Sequence, residues 1–377
     1  MKNYNYIIIG SGFFGATIAE RIASEMNEEV LVIEKRNHIG GNCHSQKDPE
    51  TNIEYHTYGT HIFHTSNPIV WNYINRFTSF NSYRHQVLTI FQDKVYQMPI
   101  NLETINSFYN INLKPYEVKD FLKKEIEKSG IEDPQNFEEM GISLIGEPLY
   151  KAFIHGYTKK QWGREPKTLP AHIIQRLPFR KNYDESYYNS FWQGIPLDGY
   201  GAIFEKMLDH PNIKVLLNTD FFDLKEELPQ NAKIIYSGPI DKLFDYKHGP
   251  LEWRSLEFEF ERKTIDDFQG TSVMNYAEEN VPYTRIHEWK HLHPERDVFR
   301  ENITLLTKEF SINGDLENPF YPIGGEKNRA LLAKYMDEAQ KLKNYIIGGR
   351  LGEYKYYDMH QTIAKGLEIF ENIKNEK

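Results

Sequence analysis

Residues 4–20 read YNYIIIGSGFFGATIAE, a nearly continuous apolar run followed by G-x-G-x-x-G and a helix-forming stretch. Tyr4 to Ile9 has the continuous apolarity of a strand covered on both faces, as in a parallel sheet. Gly10 permits the tight turn, Gly12 lets backbone approach a pyrophosphate, and Gly15 lets helix and strand pack closely. The helix N-terminus then faces the anion, with Phe14 beside it. A second buried strand follows in EEVLVIEKR, residues 28–36, and ends at Glu34, where a carboxylate can bond a ribose hydroxyl. Strand, helix and acid fall in register, so one βαβ dinucleotide-binding unit opens the chain.

Working outward, KRNHIGGN at 35–42 sets Lys35 and Arg36 a few residues before Gly40-Gly41 and Asn42. An arginine there lies where a chain passes the phosphates of a long dinucleotide, which tips the reading from NAD to FAD. Near the other end, NYIIGGRLG at 344–352 repeats the strand–glycine–helix pattern, with Gly349 and Arg350 at its turn. A cofactor held at both ends needs such a returning element.

Between these ends the pattern changes. A helix is expected over about 66–80, begun by Ser66-Asn67-Pro68. HQVLTIFQDKVYQMPI at 85–100 alternates around Gln92-Asp93 and reads as a hairpin. Residues 101–160 are rich in helix formers. Further strands are expected in IKVLLNTD and AKIIYSGPID, and antiparallel ones in LEWRSLEFEFERK and SVMNYAEENVPYTRIHEWKHL. MHQTIAKGLEIFENI closes the chain as a helix. No repeat or low-complexity linker interrupts it.

Composition bounds the function. The 377 residues carry a formal net charge of -9, which argues against a nucleic-acid protein. One cysteine, Cys43, excludes a disulfide framework or a four-thiolate metal site within the chain and is expected to be a small buried hydrophobe. No third ligand with metal spacing accompanies His61 and His64 in YGTHIFHTSNP, so no metal is expected. No apolar run reaches the roughly 18–20 residues that span a bilayer, and no signal segment is seen, so a cytoplasmic protein is expected. Aromatics reach 14%, most of them core and surface filling.

The long stretch 153–191 combines Tyr157, Trp162, Arg176, Arg180, Tyr183 and Tyr187 with Gly163, Pro166, Pro170 and Pro178, which disfavour one regular helix. Taken by itself it reads as an ordinary proline-rich loop with a partly buried tryptophan; the rival reading is a mobile lid in which Trp162 offers a flat face and Arg176 a fork for phosphate. Arg285, in an alternating strand, and Tyr321, in a turn-rich loop, would each be structural taken alone.

Together, YIIIGSGFFGA, IEKRNHIGGN, YGTHIFHT, GYTKKQWG, RLPFRKNYD, YTRIHEWKH, NPFYPIGGEKN and GGRLGEYKYYDMH resemble, in order, the bacterial UDP-galactopyranose mutases. The resemblance spans nearly the whole chain. It implies an α/β fold: a Rossmann-like FAD-binding domain with an inserted helical domain and an antiparallel β-sheet domain. Laid over the pattern of elements, it assigns residues 1–80, 196–242 and 325–377 to the FAD domain and 101–165 to the helical domain. Residues 81–100, 166–195 and 243–324 are then the antiparallel sheet or substrate domain. It implies a flavin-dependent mutase interconverting UDP-galactopyranose and UDP-galactofuranose for cell-surface glycans. Reduced flavin N5 acts as nucleophile at the anomeric carbon, and arginines hold the diphosphate. The expected FAD contacts are Gly10, Gly12, Phe14, Gly15, Glu34, Lys35, Arg36, Gly41, Asn42, His61, Ile62, Gly349, Arg350, Tyr356, Asp358 and Met359. By the same resemblance Tyr157 and Trp162 bind the uridine end, and Arg176 and Arg285 hold the diphosphate. Tyr187, Tyr321, Tyr356 and Asp358 contact substrate, and His61 and His64 flank the isoalloxazine. An external reductant such as NAD(P)H or a flavin reductase system and a homodimer are expected. One departure stands out: Thr60 replaces the proline usual before the first histidine, leaving that loop less constrained. His61, where relatives acting on the N-acetyl sugar carry arginine, favours galactose. A flavin amine oxidase and a non-catalytic binding protein on the same fold are the rival classes.

Overall fold

The computed structural model describes residues 4–176, 178–296 and 302–376, with the side chains of 175 and 176 outside the described set. Strand β1 (Tyr6–Ile9), helix α1 (Phe13–Met26) and strand β2 (Val30–Ile33) form the expected opening unit. Both strands are buried at every position, with Ile7 and Ile8 fully enclosed. Each such side chain contributes roughly 1.5–3 kcal/mol by leaving water, which is why a short strand of isoleucines holds the centre of the sheet.

Three later segments join these strands. Ile213–Leu216 pairs parallel with β2, Lys233–Tyr236 parallel with β1, and Tyr345–Ile347 parallel with Lys233–Tyr236. The result is a five-stranded parallel sheet with β1 at its centre. On one face, α1, Gly199–Leu208 and the closing helix Met359–Asn375 bury a core including Ile18, Phe204 and Phe370. The other face is covered by a cluster containing Ile7, Leu31, Phe221 and Tyr236.

A seven-stranded sheet lies beside it. Its order runs Tyr321–Pro322, Trp253–Lys263, Thr304–Asn313, Arg285–Glu288, Val273–Tyr276, Val87–Phe91, Lys94–Met98. All its pairings are antiparallel except that of Val273–Tyr276 with Val87–Phe91, which is parallel and sews the hairpin onto the later strands. Gln92 and Asp93 take positive φ at the hairpin turn, as a two-residue loop of this twist requires. Helices Leu102–Tyr109, Pro115–Glu127, Phe137–Ile145 and Gly156–Trp162 surround a separate core around Leu149, Tyr150 and Phe153. Among the described residues, no helix is long and apolar enough to cross a membrane.

The expected helix near 66–80 is shorter, Pro68–Ile74. Asn67 caps it by accepting from the amides of Ile69 and Val70, and proline occupies the first turn. Strand Trp253–Lys263 does not alternate strictly: its first four residues are all buried, because both faces of that half are covered.

Candidate functional site

The C-terminal ends of the three adjacent parallel strands converge on glycine turns. Gly10 adopts φ +94, where a Cβ would sit 2.4 Å from Ser237 Oγ. At Gly15 a Cβ would lie 2.0 Å from the carbonyl oxygen of Gly10, so α1 rests directly on the turn. Gly348 is packed against the Phe14 ring, and a Cβ at Gly349 would lie 3.4 Å from both Phe14 and Ser237. The two glycine turns, some 330 residues apart in sequence, thus share one wall. Above them opens a cleft lined among others by Gly12, Glu34, Arg36, Asn42, Cys43, His61, Gly349, Arg350 and Met359. It lies where open α/β sheets bind ligands, outside the carboxyl ends of the strands.

The residues fit a dinucleotide. Glu34 is buried, and its carboxylate accepts from the amide and hydroxyl of Ser11 at 3.0 and 2.7 Å and from the Arg36 amide at 3.0 Å. These bonds pin the glycine turn to the end of β2. Arg36 donates to Asn42 Oδ1 at 2.9 Å while its guanidinium lies 4.2 Å from the Tyr58 ring centre. Cys43 is half-buried and lines the cleft, where burial pushes its thiol up to about 12. It is inert as a nucleophile at neutral pH.

His61, Asn42, Arg350 and Met359 also line a second cavity, with His64, Tyr188, Arg285, Glu309, Tyr321, Tyr356 and Asp358. Arg285, Thr60, Ile62 and Tyr188 in turn line a third, with His85, Tyr157 and Tyr187. The three spaces share walls in sequence, from the glycine turns to the helical unit. Arg350 lies 4.7 Å from the Tyr356 ring centre and donates to the Tyr357 carbonyl at 2.7 Å. Tyr321 stacks on Tyr356 with centroids 6.0 Å apart. Tyr188 stacks on His64 at 3.8 Å. Burial holds His61 and His64 at about 4 and His85 at about 3, so all three are neutral at physiological pH.

Arg285 faces Glu309 directly across the strand pair, Nε to Oε1 3.2 Å, and donates to the Tyr157 hydroxyl. Burial alone would pull the guanidinium down, but the Glu309 carboxylate together with Tyr157, Tyr321 and Tyr187 outweighs it and keeps the cation charged. Glu309 is itself held down to about 2: burial raises it, and Arg285 and His287 outweigh that. Burial pushes Tyr157 up to about 12. Lys160, one turn after Tyr157, donates to the carbonyls of Tyr276, Glu278, Val281 and Tyr283 at 2.7 to 3.0 Å. It fastens that helix to the loop that precedes Arg285.

A family model described as UDP-galactopyranose mutase matches residues 152–356, and one described as an NAD(P)-binding Rossmann-like domain matches residues 8–77. The dTDP-fucopyranose mutase of Escherichia coli is 42% identical over 98% of this chain and 99% of its own. A Klebsiella pneumoniae protein named "Probable UDP-galactopyranose mutase" is also 42% identical, over 100% of this chain and 97% of its own. The UDP-galactopyranose mutase of Mycoplasma genitalium is 31% identical over 98% of this chain and 94% of its own. The chain belongs to the UDP-galactopyranose mutase family. It is therefore an enzyme of the isomerase class, a mutase of nucleotide sugars with a dinucleotide-binding fold. A solved structure of reduced UDP-galactopyranose mutase superposes with TM-score 0.79 at 16% identity, covering 100% of this chain and 96% of that one. An oxidoreductase from Methanosarcina mazei superposes with TM-score 0.53 at 13% identity, over 89% of this chain and 83% of that one. These two likenesses speak to fold, and a fold shared with an oxidoreductase does not separate mutase from oxidase.

Against this mutase fold, most residues singled out from sequence meet in the three cavities. Gly15 lies beneath the turn as a packing residue. Trp162 packs on the helical core and lines none of the three spaces. Arg176 ends the short helix Ala171–Arg176, and its side chain lies outside the described residues. Sequence reading passed over Tyr188, His85, His287 and Glu309. Tyr188 could have been found from its tandem with Tyr187. Glu309 gives no local signal, since only strand register sets it opposite Arg285.

Proposed function

We propose that this chain is a flavin-dependent mutase interconverting UDP-galactopyranose and UDP-galactofuranose. The observation that carries the reading is the continuity of the glycine-turn cleft, through His61 and Arg350, into a cavity walled by Arg285. FAD fits the long cleft with an arginine at either end of its path, Arg36 and Arg350. Bound and reduced, the flavin supplies the nucleophile, N5, for the anomeric carbon. The chain's own residues orient the nucleotide sugar and stabilise the departing diphosphate. Arg285, charged at every working pH and held by Glu309, offers a fork to phosphate oxygens, and Tyr157 braces it. Neutral His61 and His64 wall the sugar space without adding charge. This division of labour explains why no serine–histidine or paired-carboxylate nucleophile is needed.

The E. coli relative of equal identity is named for dTDP-fucopyranose, so the nucleotide and the sugar's 6-position form a second reading. The deciding test incubates purified protein with UDP-galactofuranose and, separately, dTDP-fucofuranose, each with and without dithionite. Pyranose from the UDP sugar in the reduced sample alone is expected. Conversion of only the dTDP sugar would transfer the activity to that substrate, and conversion of neither in the reduced sample would overturn both readings. Arg285→Ala should lower turnover about 100-fold, as loss of a donor to developing charge does. Near-wild-type turnover in a folded, cofactor-loaded variant would remove Arg285 from the diphosphate grip.

A further inference from the structure

We propose that Thr60, His287 and Glu309 form a positioning chain that sets Arg285 and ties it to the His61 loop. The inference rests on Arg285 holding the substrate diphosphate. Thr60 Oγ1 lies 2.5 Å from His287 Nδ1, and His287 Nε2 lies 3.0 Å from Glu309 Oε2. The other carboxylate oxygen, Oε1, faces Arg285 Nε at 3.2 Å. Arg285 and His287 are two apart on one strand and share a face. Both therefore reach the same carboxylate on Thr304–Asn313.

The proton arrangement follows from the chemistry of each group. Glu309 is ionised and only accepts, so His287 must donate from Nε2. Burial holds His287 below its ordinary value despite the carboxylate, so the ring is neutral and Nδ1 accepts. Thr60 is left as the donor. Each hydrogen bond has one permitted direction, which fixes the imidazole plane, which Trp289 also stacks at 5.2 Å. A fixed imidazole fixes one carboxylate oxygen and thereby the tilt of the other toward Arg285.

The loop end is equally determined. Gly59 adopts φ +90, and a Cβ there would lie 3.4 Å from Glu309 Oε2, so the loop backbone packs on the same carboxylate. The Gly59 carbonyl lies 2.7 Å from His61 Nδ1, and the His61 amide donates to His56 Nδ1 at 2.9 Å. Thr60 thus sits between the wall of the dinucleotide cleft and the arginine. The position at which the sequence departs from proline is the one that supplies the hydroxyl. A proline there would leave His287 Nδ1 without this donor.

The test measures UDP and dTDP affinity by calorimetry on the oxidised holoprotein, so that a different natural sugar does not silence it. Thr60→Val should weaken nucleotide binding about fivefold, the effect of one lost hydrogen bond, and Thr60→Ser should restore it. In the Arg285→Ala background Thr60→Val should change nothing further. His287→Gln keeps a donor for Glu309 but removes the acceptor for Thr60, so Thr60→Val should again add nothing. Unchanged affinity in Thr60→Val would overturn the proposal, as would an equal loss in the Arg285→Ala background. Failure of the mutase reading would instead appear as absent turnover with this coupling intact.

Discussion

His61, His64 and His85 wall the cavities as neutral rings, and that carries a cost on acidification. Each has a folded value of about 4, 4 and 3 against about 6.5 in an unfolded chain. Between those limits the unfolded state binds more protons, so stability rises with pH and falls as pH drops from 6.5 toward 4. His291, raised by Glu288 and Asp267 against its burial, works in the opposite sense but is outnumbered by the histidines that burial holds down. Glu309 contributes stability that is fully present above its unfolded value of about 4.5 and is lost as pH falls toward about 2. The urea midpoint should therefore already fall between pH 6.5 and about 5.5, where the histidines titrate in the unfolded chain and the carboxylates are still largely ionised. A midpoint that held steady or rose over that interval would show these rings to be solvated. At this scale the sequence was most legible where one residue type has one use, as at Gly10 and Arg36. It was least legible where partners lie across strands: nothing local to Glu309 announces Arg285, and nothing local to Thr60 announces His287.

At the scale of elements, the glycine-rich opening was readable because its spacing, apolar run and acid are all local. The cap Asn67-Pro68, the hairpin turn at Gln92-Asp93 and the closing helix Met359–Asn375 were readable for the same reason. Helix length near 66–80 was not: after Ile74 the chain tightens into turns, with the amides of Arg76 and Phe77 bonding carbonyls three residues back and the Asn75 side chain donating to the Trp71 carbonyl. The opening element also makes a sharp prediction. Gly15→Ala places a methyl 2.0 Å from the Gly10 carbonyl and 2.9 Å from Ile8 Cγ2. Helix α1 must then lift from β1, and the turn that faces the dinucleotide shifts with it. The variant should purify with much less cofactor and a lower urea midpoint. Full cofactor content, read from its absorbance, would show that this close packing is not required for binding.

Across the whole molecule, the cavities run from the parallel sheet to the helical unit, and filling them should stabilise the elements that line them. A ligand at about 100 times its dissociation constant adds about 2.7 kcal/mol. Stripping the dinucleotide should lower Tm by several degrees, and adding FAD back should restore it. An unchanged Tm would mean that the cleft is held open without help from its occupant. The order of strands has one more consequence. The hairpin Val87–Met98 gains its sheet neighbour only when Val273–Tyr276 exists. At ~5–20 residues per second, a ribosome takes on the order of ten seconds or more to make the intervening chain. For that time one flank of the hairpin is an open β-edge, able to pair with another nascent chain. Fast, crowded expression should therefore cost this protein more soluble yield than slow expression does, through a flaw of timing that the finished molecule no longer displays.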